Sequence, residues 1–138
     1  MKKSSILLVD DDEIYLFVTK KLLNSLSNDL IVNSFTDGEQ ALEYVHVCLS
    51  ENVNLPEIIL LDINMPYLDG WGFLSEFKKI KPKLEDQKVK IFMVTSSNSE
   101  EDIKKAKEFE EITGYVVKPI YEDKLKDILT EVFNTSLE

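Results

Sequence analysis

The stretch ILLVDDDEIY, residues 6–15, sets four apolar residues directly against three aspartates and a glutamate. A short apolar run bounded by polar residues is how a strand buried on both faces reads. The acids that follow are costly neighbours, since two unit charges ~4 Å apart repel by about 4 kcal/mol at an effective dielectric near 20. Two readings account for Asp10, Asp11 and Asp12 at the end of such a strand. A helix N-terminus tolerates acids, because Asp caps the first turn and suits the macrodipole. A cation site also tolerates them, because the ion offsets their repulsion. The stretch alone leaves both open.

Outward from it, strand and helix patterns alternate. Ile14, Phe17, Val18, Leu22 and Leu26 recur at helical spacing and predict an amphipathic helix over 13–27. A second strand is expected over 30–35, and Asp37-Gly38 turns into a helix over 39–49 with Ala41, Leu42, Val45 and Leu49 inward. A polar loop spans 50–56. The apolar run 58–61 ends, like the first, in an aspartate, Asp62. A loop marked by Pro66 and Gly70 leads to a helix over 71–80, with Phe73, Leu74, Phe77 and Ile80 inward and Pro82 as its stop. The fourth strand is expected over 89–94. Ser99-Glu100-Glu101-Asp102 resembles a capping box and starts a helix that buries Ile103, Ala106 and Ile112 and stops at Gly114. A last strand over 115–117 and a helix over 122–133 complete five strand–helix units. Such alternation in one composition block implies an α/β domain with a parallel, doubly wound sheet.

The chain has 138 residues and a formal charge of -10, with 26 acidic side chains against 16 basic ones. All 16 are lysines. Nucleic-acid readers rely on basic patches and on the bidentate arginine fork, so no nucleic-acid partner is expected. Lysine pairs such as Lys104-Lys105 read as solvated helix faces. The apolar run after MKKSS is too short for a signal-peptide core, and no run approaches a membrane span. A single cysteine, Cys48, excludes an intrachain disulfide framework. A cytoplasmic protein without a membrane partner is expected, as one domain over residues 1–138.

Open parallel sheets bind ligands beyond the carboxyl ends of their strands. The first strand is followed by Asp10 and Asp11, the third by Asp62, the fourth by Thr95 and the fifth by Lys118. Three carboxylates, a hydroxyl and an ammonium therefore converge on one edge. That coincidence decides the opening question for the cation site. Hard oxygen ligands with no His or Cys among them favour Mg²⁺, which takes one or two carboxylates and completes its shell with water and phosphate oxygens.

With these residues in place the sequence resembles the receiver domains of two-component response regulators. VDDD, LLDINMPYLDG, VTSS and YVVKP look like the family's four signatures, in order, across nearly the whole chain. The resemblance implies a flavodoxin-like sheet of order 2-1-3-4-5 with helices on both faces. It implies a protein that is not an enzyme beyond its own phosphorylation and dephosphorylation, with no effector domain. Asp62 matches the phosphoacceptor, and Asp10 and Asp11 the acidic pair that binds Mg²⁺ with Asp62 and the backbone carbonyl of Asn64. Thr95 matches the switch hydroxyl, Lys118 the phosphate-pairing lysine in a Lys-Pro step that is often cis, and Tyr115 the aromatic that swings inward on activation. Asp12 matches no catalytic position and reads as a helix start. The implied donor is a sensor histidine kinase or a histidine phosphotransfer protein. The implied output is a docking surface on the fourth helix, fifth strand and fifth helix. Asn64 and Ser97 match the positions that flank the water hydrolysing the aspartyl phosphate. The stretches 38–56 and 81–88 are longer than in the chemotaxis member, and similar to those of single-domain regulators serving phytochrome-type and hybrid kinases.

Two other functions could use an aspartate-rich site of this kind. A Mg²⁺-dependent phosphohydrolase with an aspartyl phosphate usually has a second Asp two residues after the nucleophile, and here that place holds Asn64. An unphosphorylated receiver-like binding module would be signalled by loss of Asp62 or Lys118, and both are present. His46 has no acid or amide motif around it and reads as an ordinary surface histidine. Cys48 reads as a packing residue and Trp71 as a helix-start residue near the site mouth.

Overall fold

A computed structural model describes residues 4–84 and 86–133. Five strands, β1 (Ser4–Val9), β2 (Leu30–Phe35), β3 (Ile58–Leu61), β4 (Lys90–Thr95) and β5 (Ile112–Val117), form one sheet of order β2-β1-β3-β4-β5. All four pairings are parallel. The expected flavodoxin-like order is therefore observed. Five helices connect or follow the strands: α1 (Glu13–Leu26), α2 (Gly38–Ser50), α3 (Gly70–Ile80), α4 (Glu100–Ala106) and α5 (Glu122–Phe133).

The central strands are apolar on both faces because both faces are covered. Leu7, Val9, Ile59, Leu61, Ile91 and Met93 pack with α2 and α3, while Ile6, Leu8, Ile58, Leu60, Phe92 and Val94 pack with α1 and α5. Phe73, Leu74, Phe77 and Ile80 form the buried stripe of α3, as their spacing predicts. Leu125, Ile128 and Leu129 do the same for α5. Cys48 is buried in the α2 core and His46 is exposed, matching the plain readings of both.

Two expectations fail. In α1 the buried residues are Leu16, Thr19 and Leu23, whereas Ile14, Phe17 and Val18 are exposed at 78%, 62% and 48%. The sequence carries two overlapping apolar stripes, and the sheet takes the one that also brings Tyr15, Leu22 and Leu26 into partial burial. The fourth helix stops at Ala106, and Ile112 and Gly114 belong to β5. Gly114 pairs with Phe92 in the β4–β5 ladder, where a Cβ would stand only 3.0 Å from the Phe92 ring. The α3 helix ends at Ile80, as Pro82 predicts, and a 3₁₀ turn, Lys81–Leu84, follows it. The two long connections meet below the sheet, where the Leu55 N–H donates to Gln87 Oε1 at 2.8 Å.

Candidate functional site

The parallel sheet delivers each candidate residue to one edge. Val9 and Leu61 are register partners, so Asp10 and Asp62 leave adjacent strands side by side. The Asp62 N–H donates to the Val9 carbonyl at 2.9 Å and the Asp10 N–H to the Phe35 carbonyl at 3.1 Å, extending the ladders by one step. Asp62 Oδ1 accepts the Ile63 N–H at 2.8 Å, and Asp10 Oδ1 accepts the Asp12 N–H at 2.9 Å. Both carboxylates are thereby aimed into the cleft. Asp12 caps α1, its side chain accepting from the N–H groups of Ile14 and Tyr15. The two readings of the opening acids thus apply to different residues: Asp12 starts the helix, while Asp10 and Asp11 face the site.

Lys118 closes the cleft from β5. Its backbone N–H donates to the Thr95 carbonyl at 2.8 Å, and the Lys118–Pro119 peptide is cis. The ammonium lies 2.6 Å from Asp10 Oδ2 and 3.9 Å from Asp62 Oδ2. Thr95 is fully buried at the end of β4, and its hydroxyl accepts the Ser97 N–H at 3.3 Å. The Tyr115 hydroxyl donates to the Ser97 carbonyl at 2.9 Å, which ties β5 to the β4–α4 loop. The Ser97 hydroxyl itself pairs with Asp102 at 2.5 Å, on α4. Asn64 is exposed on the β3–α3 loop. That loop is held at its far end by Asp69 capping α3 and by the Gly70 N–H on the Ile63 carbonyl at 2.8 Å. Gly70 has no room for a side chain, because a Cβ would stand 2.3 Å from the Asp62 carbonyl oxygen.

Carboxylate oxygens of Asp10, Asp11 and Asp62 lie within 4.8 Å of one another. Burial pushes the Asp10 carboxyl up to about 6; the Lys118 ammonium and the Asp12 N–H oppose this, and the charge of Asp62 adds to it. Burial likewise raises Asp62, against Lys118, the Ile63 N–H and the Thr95 hydroxyl. Asp10 Oδ2 is buried and, for all its closeness to Lys118, accepts no well-directed hydrogen bond. Clustered carboxylates with no nitrogen or sulfur ligand among the clustered groups suit a hard divalent cation. The arrangement offers a carboxylate nucleophile, a cation cradle, an ammonium and a hydroxyl around one point, which is what transfer of a phosphoryl group requires.

Sequence reasoning missed two contacts. The Lys118 ammonium stands over the Tyr15 ring, 4.4 Å from its centroid. Trp71, at the start of α3, stacks on Phe109 at 5.9 Å with Lys105 4.9 Å above it, so it is wedged against α4 rather than free at the site mouth. Neither contact leaves a periodic trace, since each joins residues far apart in the chain.

The model of the response regulator receiver domain matches residues 6–130. The chemotaxis protein CheY of Halobacterium salinarum is 28% identical, over 92% of this chain and 94% of its own. The crystal structure of a two component response regulator from Cytophaga hutchinsonii superposes with a TM-score of 0.83 at 27% identity, covering 98% of this chain and 100% of the other. A phosphorylated cyanobacterial phytochrome response regulator, RcpA, superposes with a TM-score of 0.80 at 25% identity over 98% of both chains. The chain spans only 50% and 41% of two longer curated response regulators that it also matches. No helix among the described residues is long and apolar enough to cross a membrane.

Proposed function

Because the chain belongs to the response regulator receiver domain family, we propose that it accepts a phosphoryl group on Asp62 within a His–Asp phosphorelay. The observation that carries this reading is the convergence of Asp62, Asp10, Lys118 and Thr95 at one strand edge, with the ammonium 2.6 Å and 3.9 Å from the two carboxylates. The phosphorylated state of RcpA, a protein of similar fold, supports it. The donor is a phosphohistidine of a sensor kinase or of a histidine phosphotransfer protein.

The chemistry follows from the side chains. The Ile63 N–H occupies Asp62 Oδ1, leaving Oδ2 to attack phosphorus. The P–N bond to the donor histidine breaks as the P–O bond to Asp62 forms, and the electron pair leaves on the imidazole. Lys118 and Thr95 oppose the rise that burial gives the Asp62 carboxyl, then turn to the new phosphoryl oxygens. Asp10, Asp11, Asp62 and the Asn64 carbonyl would hold Mg²⁺, which would supply neutralisation of the charge on the transferring group. Phosphorylation adds roughly -1.5 to -2 charges. Thr95 shares the β4–α4 loop with Ser97, whose carbonyl anchors Tyr115, so a shift of Thr95 reaches α4, β5 and α5 as an output surface.

The exposed Ile14, Phe17 and Val18 extend from the first turn of α1 at the same edge. Apolar side chains beside a phosphorylation cleft suit a helical donor protein that must bring its histidine to Asp62. The acceptor assignment is tested by intact-mass spectrometry after treatment with acetyl phosphate and Mg²⁺. One phosphoryl group is expected on the wild type and none on Asp62→Asn; undiminished labelling of the variant refutes it.

A further inference from the structure

Tyr15 belongs to no signature of the sequence, yet its ring lies beneath the site. Asp12 caps α1 and Glu13 begins it, so Tyr15 sits in the first turn. Its half-buried ring packs with the core between the sheet and the α1 and α5 helices. The Lys118 ammonium stands 4.4 Å above the ring centroid. The Tyr15 hydroxyl is buried beside the Thr19 side chain, and burial followed by the charge of Asp10 raises its pKa, with Thr19 opposing. An aliphatic side chain would fill the same core without burying a polar atom at all. Packing alone therefore does not favour a tyrosine here, whereas the electron-rich ring face does, because it attracts a cation.

Lys118 needs such a restraint. A lysine carries its point charge on a flexible stem, and this one has three destinations. Asp10 holds it at 2.6 Å, Asp62 is more distant at 3.9 Å, and solvent is open to a side chain that is 18% exposed. Asp10 alone would draw it off the acceptor, and solvent would draw it out of the cleft.

We propose that Tyr15 is a positioning residue for phosphoryl transfer: its ring face is a shelf that holds the Lys118 ammonium between Asp10 and Asp62, where the incoming phosphoryl oxygens meet it. This inference rests on the reading of Asp62 as the acceptor. Tyr15 touches neither substrate nor metal and acts through Lys118.

The test compares wild type, Tyr15→Phe, Tyr15→Leu and Asp62→Asn. The rate of labelling by acetyl phosphate with Mg²⁺ is followed by mass, and the Lys118 ε-methylene protons by NMR without phosphate. The wild type should show those protons shifted upfield by the ring current. Tyr15→Phe should keep the shift and label within about twofold of wild type, since the ring stays. Tyr15→Leu should lose the shift and label more slowly, on the order of fivefold to tenfold. An unshifted Lys118 in the wild type overturns the proposal whether or not Tyr15→Leu folds. So does a Tyr15→Leu that labels at the wild-type rate, or a Tyr15→Phe as slow as Tyr15→Leu. If the wild type takes no label, or Asp62→Asn takes as much, the acceptor reading fails instead, and the NMR arm still shows whether the ring holds the ammonium.

Discussion

Replacing Asp10 by Asn should stabilise the metal-free protein, and by an amount that depends on pH. Burial, the largest cause, lifts the Asp10 carboxyl from 3.8 to about 6 in the folded protein. Between those values the native state binds more protons than the unfolded chain, so stability falls as pH rises through that window. Above it the ionised carboxylate costs the fold about 3 kcal/mol relative to its neutral form, from 1.36 kcal/mol per unit. The attraction of Lys118 and the Asp12 N–H is already inside that balance. Asn is a neutral isostere, with one acceptor and one donor like the protonated acid. Asp10→Asn should therefore gain about 3 kcal/mol near pH 8 but roughly 1 kcal/mol near pH 4.5, where the unfolded chain is only partly ionised. Near pH 8 that corresponds to a rise in Tm of roughly 10 °C.

The assay is thermal and urea unfolding in EDTA at both pH values. A gain that does not change with pH would mean relief of crowding rather than of charge, and no gain near pH 8 would mean that Asp10 is not strained by ionisation at all. Either result refutes the argument. Saturating Mg²⁺ supplies a second check. It should stabilise the wild type by mass action and shrink the advantage of the variant, because the cation binds the folded carboxylates.

Two further outcomes are expected. Ile14→Ala combined with Phe17→Ala should leave labelling by acetyl phosphate intact and stability within about 0.5 kcal/mol, since both side chains are exposed; transfer from a phosphorylated kinase or phosphotransfer protein should slow, and an unchanged transfer rate would remove α1 from the donor interface. Asn64→Lys should lengthen the life of the aspartyl phosphate by displacing the attacking water from the open side of the site, measured as loss of phosphate from isolated protein with Mg²⁺; a half-life equal to wild type would refute that role.

What was legible in the sequence follows from how parallel sheets are made. A strand buried on both faces announces itself by an unbroken apolar run, and the first polar residue after it must lie at the carboxyl edge. Asp10, Asp62, Thr95 and Lys118 were placed together on that rule alone, and they are together. Helix faces carry no such rule. In α1, Ile14, Phe17 and Val18 form one stripe and Leu16, Thr19 and Leu23 another, each at helical spacing. The choice between them is made by rotation about the helix axis, which Asp12 fixes when it caps the first turn beside Asp10. The cap that starts the helix thus also decides which stripe the sheet receives and which is left in solvent. Thr19 is buried because it lies on the face that carries Leu16 and Leu23 to the sheet, with Tyr15, Leu22 and Leu26 flanking it, and Phe17 is on the other side. The apolar residues left outside lie next to the proposed phosphorylation cleft, where the donor protein of that reading would dock.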